Sequence, residues 1–205
     1  MHRPKTAGDF PVRYSEKKIP MIETSDITDI VTRLAVEFHV VGIDGVDGSG
    51  KSTLAASLSE KLGCSHINLD DHIDKNLGQY VNHVHYLVVQ ETINATKLPI
   101  IIEGVCLLAI AERLQLNLDA LIYIKRISSY GNWIDEGNCD VTGDIDEFMN
   151  KEKKELNKFV HAAAYIEGKD FPDDTSFPEL AEEIIRYHYS YRPHERADII
   201  YKRID

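Results

Sequence analysis

The fold of this chain is decided by nine residues, GVDGSGKST, which run from Gly45 to Thr53. They match the phosphate-binding pattern G-x-x-x-x-G-K-[ST] at Gly45, Gly50, Lys51 and Ser52. The glycines let the backbone curl around a polyphosphate with successive N–H groups pointing inward, a conformation that leaves little room for a Cβ atom. In such a loop the lysine ammonium reaches the β- and γ-phosphates, and the serine hydroxyl binds Mg²⁺. We call this segment the P-loop.

The residues on either side of the P-loop predict a strand before it and a helix after it. A largely apolar run, Phe38 to Ile43, precedes the loop, and Leu54, Leu58 and Leu62 follow it four residues apart before Gly63. Because strand, glycine loop and helix is the context that this chemistry requires, we predict that the loop binds a nucleoside triphosphate. The residues predicted to contact the nucleotide are Gly45, Asp47, Gly48, Ser49, Gly50, Lys51, Ser52 and Thr53.

Length and charge narrow the class of protein further. The 205 residues suit one domain, and the net charge is −11. Residues 1–20 hold five Lys/Arg against two Asp/Glu, so the remaining residues total −14. We expect a flexible leader over 1–20 and a single P-loop domain over 21–205. A body this acidic argues against a nucleic acid as partner, and no apolar run is long enough to span a bilayer. The three cysteines form no C-x-x-C pair, which favours free thiols in a reducing cytoplasm.

Strand-like and helix-like stretches alternate along the chain. The predicted strands are 38–43, 65–69, 99–103, 118–124 and 197–201. The predicted helices include one over 22–37, one that Asp144 and Glu147 open as a capping box, and a last one that Ser176 and Glu179 cap. Residues 128–143 form a polar loop. This order predicts an α/β P-loop NTPase fold, with a five-stranded parallel sheet and helices on both faces.

Ligands of parallel sheets lie beyond the carboxyl ends of the strands, and chemically useful side chains fall there. Asp70 and Asp71 follow the second predicted strand, Glu103 ends the third, and Arg126 follows the fourth. Phosphoryl transfer to an alcohol needs a clamp on the phosphates, Mg²⁺ to neutralise charge and a carboxylate to take the acceptor's proton. Asp71 is equally well explained as a helix-capping residue. Glu103 is harder to explain structurally, because an unpaired charge in so apolar a segment is costly.

Four motifs in this order resemble those of the uridine kinase group of P-loop kinases, which is similar to the nicotinamide riboside kinases, phosphoribulokinases and pantothenate kinases. The motifs are GVDGSGKST (45–53), INLDDHID (67–74), IIIEGVCLL (100–108) and YRPHERADIIY (191–201). The resemblance implies that Asp70, with Asp71 as the fallback, is the general base for the acceptor hydroxyl. It also implies that Glu103 binds Mg²⁺ beside Ser52, with Asp70 as a further metal candidate. Residues 193–198 resemble the loop that lies against the nucleotide base.

The region after the fourth strand departs from that family pattern. Members of the group carry several arginines on a lid helix over the γ-phosphate, whereas this chain has only Lys125 and Arg126 there. Residues 127–180, which we take as a lid with an inserted helical region, are longer than the usual lid. We expect Arg126 to steady the transferring group and Trp133 to anchor the loop. The lysines of the helix after that loop are expected to be mainly solvated.

The leading hypothesis is a cytoplasmic kinase that moves the γ-phosphate of ATP to a hydroxyl of a small metabolite, with Mg²⁺ as cofactor. A nucleoside or similar ribosyl compound is the first candidate acceptor. ATP is favoured over GTP because the chain lacks an N-K-x-D tetrapeptide. The thin lid leaves open an ATP-binding regulatory protein without acceptor turnover, and a P-loop switch NTPase is a third option. The first helix could pack on the sheet or on a second subunit, which would make a homodimer.

Overall fold

A parallel sheet of six strands forms the centre of the protein. A computed structural model describes residues 21–35, 38–74, 77–168 and 176–205, so the predicted leader over 1–20 lies outside the described residues. Within them the strand order is β1-β6-β5-β2-β4-β3, and every neighbouring pair is parallel. The P-loop strand β2 is therefore central, between β5 and β4. The predicted α/β class with a parallel sheet is confirmed, although the sheet has one strand more than predicted.

The element bounds are as follows. The strands are β1 (Ile22–Thr24), β2 (Val40–Asp44), β3 (Ser65–Asn68), β4 (Ile100–Glu103), β5 (Ala120–Ile127) and β6 (Ile199–Ile204). The helices are α1 (Ile27–Leu34), α2 (Lys51–Leu62), α3 (Tyr86–Ala95), α4 (Leu107–Leu114), α5 (Glu136–Cys139), α6 (Ile145–Glu167), α7 (Glu179–Tyr191) and α8 (Pro193–Arg196). Two short 3₁₀ turns cover Leu69–His72 and Val81–His83.

The strands carry apolar side chains on both faces of the sheet, and helices cover both faces. In β4, Ile100 and Ile102 join the core beneath α3, α4 and α7, whereas Ile101 joins the core beneath α1 and α2. This alternation follows from the two-residue period of a strand. In β2, a Cβ atom at Gly42 would lie 2.8 Å from side-chain atoms of Leu107 and Leu118, so this glycine lets α4 approach the sheet.

The amino-terminal prediction was partly wrong. Instead of one helix over 22–37, residues 22–24 form β1, which pairs with β6 and supplies the sixth strand. Helix α1 begins after Asp26, whose side chain accepts a hydrogen bond from the Thr28 amide at 2.7 Å. Ile30 and Leu34 are buried against the sheet. The apolar face of α1 is therefore covered within the chain.

Beyond β5 the chain is more regular than a plain loop followed by a helix. Residues 128–143 include the short helix α5, and Asp144 caps α6 as predicted, because its carboxylate accepts from the amides of Asp146 and Glu147. The predicted Ser176 cap is wrong, because α7 begins at Glu179 with Pro178 before it and no side-chain cap. The three cysteines are unpaired. No helix among the described residues has the length and apolar character needed to cross a membrane.

Candidate functional site

The P-loop, Asp70 and Glu103 meet at the carboxyl edge of the sheet. In the strand register, Glu103 at the end of β4 lies beside Ile43 of β2 on one side and Asn68 of β3 on the other. The P-loop leaves β2 at this level, and Asp70 follows β3 by two residues. Parallel pairing of three consecutive strands thus brings together groups that are up to 60 residues apart in sequence.

The P-loop has the backbone conformation that its glycines predicted. Gly48 and Gly50 have φ angles of +68° and +92°, in the left-handed region that favours glycine. No heavy atom lies within 4 Å of a Cβ built at Gly48, so the space above the loop is open. Ser52 and Thr53 are exposed at the start of α2, and Ser49 is buried with an unpaired hydroxyl. Asp47 is exposed, and its carboxylate accepts from the Gly48 amide at 2.9 Å.

Lys51 is buried at the first position of α2. Its Nζ donates to the carbonyl oxygen of Val46 at 2.8 Å, which folds the side chain back across the loop. Burial lowers the pKa of Lys51, while the negative charges of Asp44, Glu103 and Asp70 oppose that shift. These three carboxylates, with Asp47, therefore act on one ammonium group.

Asp44 is a site residue that sequence reasoning missed. It ends β2 directly before the P-loop and is completely buried. Its carboxylate accepts from the Gly45 amide at 2.7 Å and from the hydroxyl of Tyr187, which itself accepts from the Leu108 amide at 3.1 Å. Burial raises the pKa of Asp44 to about 6, and the hydrogen bonds from Tyr187 and Gly45 oppose the shift. The Tyr187 hydroxyl thus supports the base of the P-loop.

Glu103 is the carboxylate whose apolar surroundings in the sequence made a structural role hard to explain. It has no exposed surface, and neither carboxylate oxygen has a hydrogen-bond partner among the described residues. The nearest basic nitrogen is Nε2 of His66 on β3, 3.5 Å from Oε1. Buried polar atoms without partners are rare in folded proteins, because each loses hydration without compensation. Both oxygens are hard ligands of the kind Mg²⁺ prefers, so Glu103 and the exposed Ser52 hydroxyl fit that ion.

The structure separates Asp70 from Asp71. Asp70 is half-buried, and its Oδ1 accepts from the hydroxyl of Tyr80 at 2.5 Å, whereas Asp71 is exposed. Tyr80 is positioned in turn by Glu183 of α7, whose carboxylate accepts from the Tyr80 amide and from the Val81 amide at 3.2 Å. The Asp70 carboxylate is therefore oriented through Oδ1, and Oδ2 is left for another partner. Of the two aspartates, it has the geometry of a general base.

Arg126 and Trp133 anchor the loop that follows β5. The guanidinium of Arg126 bonds through Nε to Asp135 at 3.0 Å and through Nη2 to the other oxygen of the same carboxylate. Trp133 packs edge-on against Tyr123, with ring centroids 6.1 Å apart, and Lys125 Nζ lies 4.2 Å from the Trp133 ring centroid. The structure supports Trp133 as a loop anchor. Among the described residues it shows no hydrogen bond from Arg126 to the P-loop, because two of the guanidinium nitrogens are engaged with Asp135.

An arginine that the sequence did not single out contacts the P-loop instead. Arg203 of β6 donates through Nη1 to the carbonyl oxygen of Gly48 at 3.0 Å, and a Cβ atom at Gly50 would lie 2.9 Å from the same nitrogen. Its position follows from the register, because β5 and β6 extend past the level at which β2 ends. Residues 193–198, predicted to lie against a base, directly precede β6, whose first residue pairs with Ile122 of β5. His194 among them packs against Tyr123, the β5 residue that pairs with Asp44 at the end of β2. Their contact with a nucleotide base stays a prediction.

A cavity of about 530 Å³ opens between the Gln79–Asn82 segment, α4 and α7. Its walls carry acidic and basic side chains, among them Arg113, Glu183 and Arg186. Neither the P-loop nor Asp70 nor Glu103 lines it. We therefore do not assign it to the phosphate-transfer site.

Part of the chain matches the model of a known protein family. The shikimate kinase family model matches residues 47–88, a stretch that begins inside the P-loop and includes Asp70 and Tyr80. A putative adenylate kinase from Pyrococcus furiosus is 44% identical over 41 residues, which are 20% of this chain and 23% of that protein. The match thus spans about a quarter of the length of the curated relative. Over this segment the predicted resemblance to P-loop kinases is confirmed.

Two solved structures are similar to most of the chain. One is a structure of a possible uridine kinase from Bacillus stearothermophilus, with a TM-score of 0.46 and 16% identity over 85% of this chain and 96% of that one. The other is a putative fructose transport system kinase from Silicibacter sp. TM1040, with a TM-score of 0.42 and 15% identity over 87% of this chain and 100% of that one. With scores below 0.5, neither supports a conclusion about the acceptor of this chain.

Proposed function

We propose that this protein is a phosphotransferase that moves the γ-phosphate of ATP to a hydroxyl group of a small metabolite. The observation that carries the proposal is the carboxylate of Asp70. It is half-buried, oriented by the Tyr80 hydroxyl at 2.5 Å, and close enough to Lys51 to act on its charge. A nucleotide-binding protein without an acceptor has no need for an oriented carboxylate at this place.

Each group that the reaction needs has a candidate in the chain. The loop amides and Lys51 would bind the phosphates, and Ser52 with Glu103 would hold Mg²⁺, with Asp70 as a further candidate ligand. The ion would supply positive charge against the charge that develops on the transferring group. Asp70 would accept the proton of the attacking hydroxyl through its free oxygen. Arg203 offers a positive group beside the loop where the lid arginines of similar kinases are absent.

A nucleoside or similar ribosyl compound is our first candidate acceptor, by resemblance to the uridine kinase group. The acceptor would approach Asp70 from the side of the Gln79–His85 segment, which contains Tyr80 and two histidines. Several hydrogen-bonding side chains in this segment suit a hydroxylated substrate better than an apolar one.

A regulatory ATP-binding protein is the second candidate, and one observation favours it. Arg126, the arginine expected at the lid, is paired with Asp135 through two nitrogens, so the Asp135 carboxylate offsets the positive charge that a transferring phosphate would need. Catalysis by the first candidate needs either the opening of this pair or a substitute such as Arg203.

Release of ADP from Mg·ATP across a panel of nucleosides, other ribosides, pantothenate and sugar phosphates tests the proposal. Asp70→Asn keeps the size of the side chain and removes the base, so acceptor-stimulated release should fall by at least about a hundredfold. Asp71→Asn is the matched control, because Asp71 is adjacent but exposed, and it should retain near wild-type turnover. ATP binding without stimulation by any acceptor would refute the kinase proposal in favour of the regulatory one. Equal loss in both variants would refute the role of Asp70.

A further inference from the structure

A second group of potential metal ligands lies where α5 ends and α8 begins, outside the P-loop site. Asp140, His194 and Glu195 each bring one ligand atom to within 4.8 Å of the others. Nε2 of His194 is 3.7 Å from Oδ1 of Asp140 and 3.8 Å from Oε1 of Glu195. We call these three residues the Asp–His–Glu cluster.

The state of His194 is what distinguishes this cluster from a group of surface charges. His194 is only 7% exposed, and neither ring nitrogen has a hydrogen-bond partner among the described residues. Its ring packs against Tyr123 and Trp133, with centroids 5.9 Å and 5.2 Å away. Because no hydrogen bond orients the ring, packing fixes its direction. A buried imidazole without a hydrogen-bond partner is costly. Burial also lowers the pKa of His194, which favours the neutral ring that binds metals.

We propose that the Asp–His–Glu cluster binds a divalent transition-metal ion, for which Zn²⁺ is the best fit. One imidazole nitrogen and two carboxylate oxygens are ordinary zinc ligands, with an open fourth position for water. Tetrahedral zinc with bonds near 2.1 Å separates its ligand atoms by about 3.4 Å. The two distances from His194 exceed that value by only a few tenths of an ångström. Ca²⁺ fits less well, because it takes six to eight oxygen ligands.

Arg192 contacts the same two carboxylates that would bind the ion. Its Nη1 lies 2.8 Å from the same Asp140 oxygen, and its Nε lies 3.7 Å from the same Glu195 oxygen. The guanidinium thus offsets part of the negative charge of the two carboxylates when no ion is bound. A metal ion must displace it, so Arg192 competes with the ion and lowers its affinity.

Metal binding would join two segments that are far apart in sequence. Asp140 follows α5 in the loop after β5, whereas His194 and Glu195 belong to α8, which leads into β6. His194 of the cluster packs against both Trp133 and Tyr123, the ring that anchors Trp133. Because Trp133 is the only tryptophan of the chain, its fluorescence would report the occupancy of the cluster.

Titration of the tag-free, chelator-treated full chain with Zn²⁺, without nucleotide, tests the proposal by calorimetry and tryptophan fluorescence. The absorption of bound Co²⁺ gives an independent readout. We expect one equivalent to bind, with a change in fluorescence. His194→Gln and Glu195→Gln should each weaken binding by at least about tenfold. Arg192→Gln should strengthen it several-fold, because the competing cation is gone.

His39→Gln is the matched control. His39 also has a carboxylate at 3.7 Å, that of Asp119, but its side chain is 67% exposed and has no second acidic partner among the residues that the structure describes. The His39→Gln variant should bind Zn²⁺ as the wild type does. Glu195 is exposed, so its variant keeps the test valid if His194→Gln does not fold. Absence of binding at millimolar Zn²⁺ would overturn the site. So would binding that neither the His194 nor the Glu195 variant weakens, or that Arg192→Gln weakens.

Discussion

Replacing Tyr187 with phenylalanine tests whether the buried carboxylate beneath the P-loop depends on one hydroxyl group. The Tyr187 hydroxyl donates to Oδ2 of Asp44, and the other carboxylate oxygen has the Gly45 amide at 2.7 Å. The substitution keeps the ring and removes only this donor, which is also the acceptor for the Leu108 amide. Asp44 then keeps its backbone partners Gly45 and Leu107 and the charge of Lys51, but loses its side-chain hydrogen bond in a site without solvent.

The free energy of unfolding should respond to this change in a pH-dependent way. The folded pKa of Asp44 is about 6, above the ordinary value of 3.8, so its favourable contribution is complete below pH 3.8 and is lost as the pH rises through 6. At about 1.4 kcal/mol per unit, the ionised carboxylate costs about 3 kcal/mol at pH 8. A hydrogen bond to an ionised group stabilises by about 1.5–3 kcal/mol and one to a neutral group by about 1 kcal/mol. Tyr187→Phe should therefore destabilise the protein by about 0.5–2 kcal/mol more at pH 8 than at pH 5.

Urea unfolding of the wild type and the variant at pH 5 and pH 8 measures this difference. Tyr189→Phe is the matched control on the same helix, because the Tyr189 hydroxyl donates to the uncharged Gly143 carbonyl at 2.9 Å. Its loss of stability should be the same at both pH values. If Tyr187→Phe also lowers the free energy of unfolding by the same amount at both pH values, Asp44 does not titrate in this range and the raised pKa is wrong.

Other substitutions probe the remaining parts of the site. Tyr80→Phe should lower acceptor-dependent kcat about tenfold or more without changing the KM for ATP, because it frees the Asp70 carboxylate to rotate; steady-state kinetics would reveal a purely structural role as an equal loss of ATP binding. Glu103→Gln should weaken the Mg²⁺ dependence of ATP binding while raising the melting temperature, since a buried carboxylate whose oxygens lack hydrogen-bond partners is replaced by a neutral amide; a lower melting temperature would contradict this. Arg203→Gln should weaken ATP binding several-fold by direct titration, and unchanged affinity would exclude a role in binding. The pKa of buried His188 is lowered to about 4, so its contribution is present above pH 6.5 and falls by up to about 3 kcal/mol as the pH drops toward 4; unfolding curves of His188→Gln should lack this acid loss.

The parts of the fold that local patterns determine were predictable. The P-loop, the alternation of strands and helices and the Asp144 cap depend on residues within one turn or one strand of each other. The three residues of β1 were not, because so short a strand has no period of its own, and its sequence continues into the helical pattern of α1. Its identity as a strand is decided by pairing with β6, near the other end of the chain.

The site was predictable where the chemistry is encoded in a motif. Lys51 and Glu103 lie where their motifs imply, and the geometry chooses between Asp70 and Asp71 as the sequence could not. Asp44 was missed because its role depends on Tyr187, 143 residues away. Arg203 was missed because only the extension of β6 past the end of β2 brings it to the loop, a fact of register that no local pattern contains.

The hydrogen bonds of α7 have a further consequence for how the two halves of the site respond to their ligands. One turn of this helix supports the carboxylate under the P-loop through Tyr187, and the turn before it fixes the segment of Tyr80 through Glu183. Any shift of the helix moves both supports at once. Occupancy of the phosphate loop should therefore change the affinity for a molecule at Asp70, and by thermodynamic reciprocity that molecule should change the affinity for the nucleotide by the same factor.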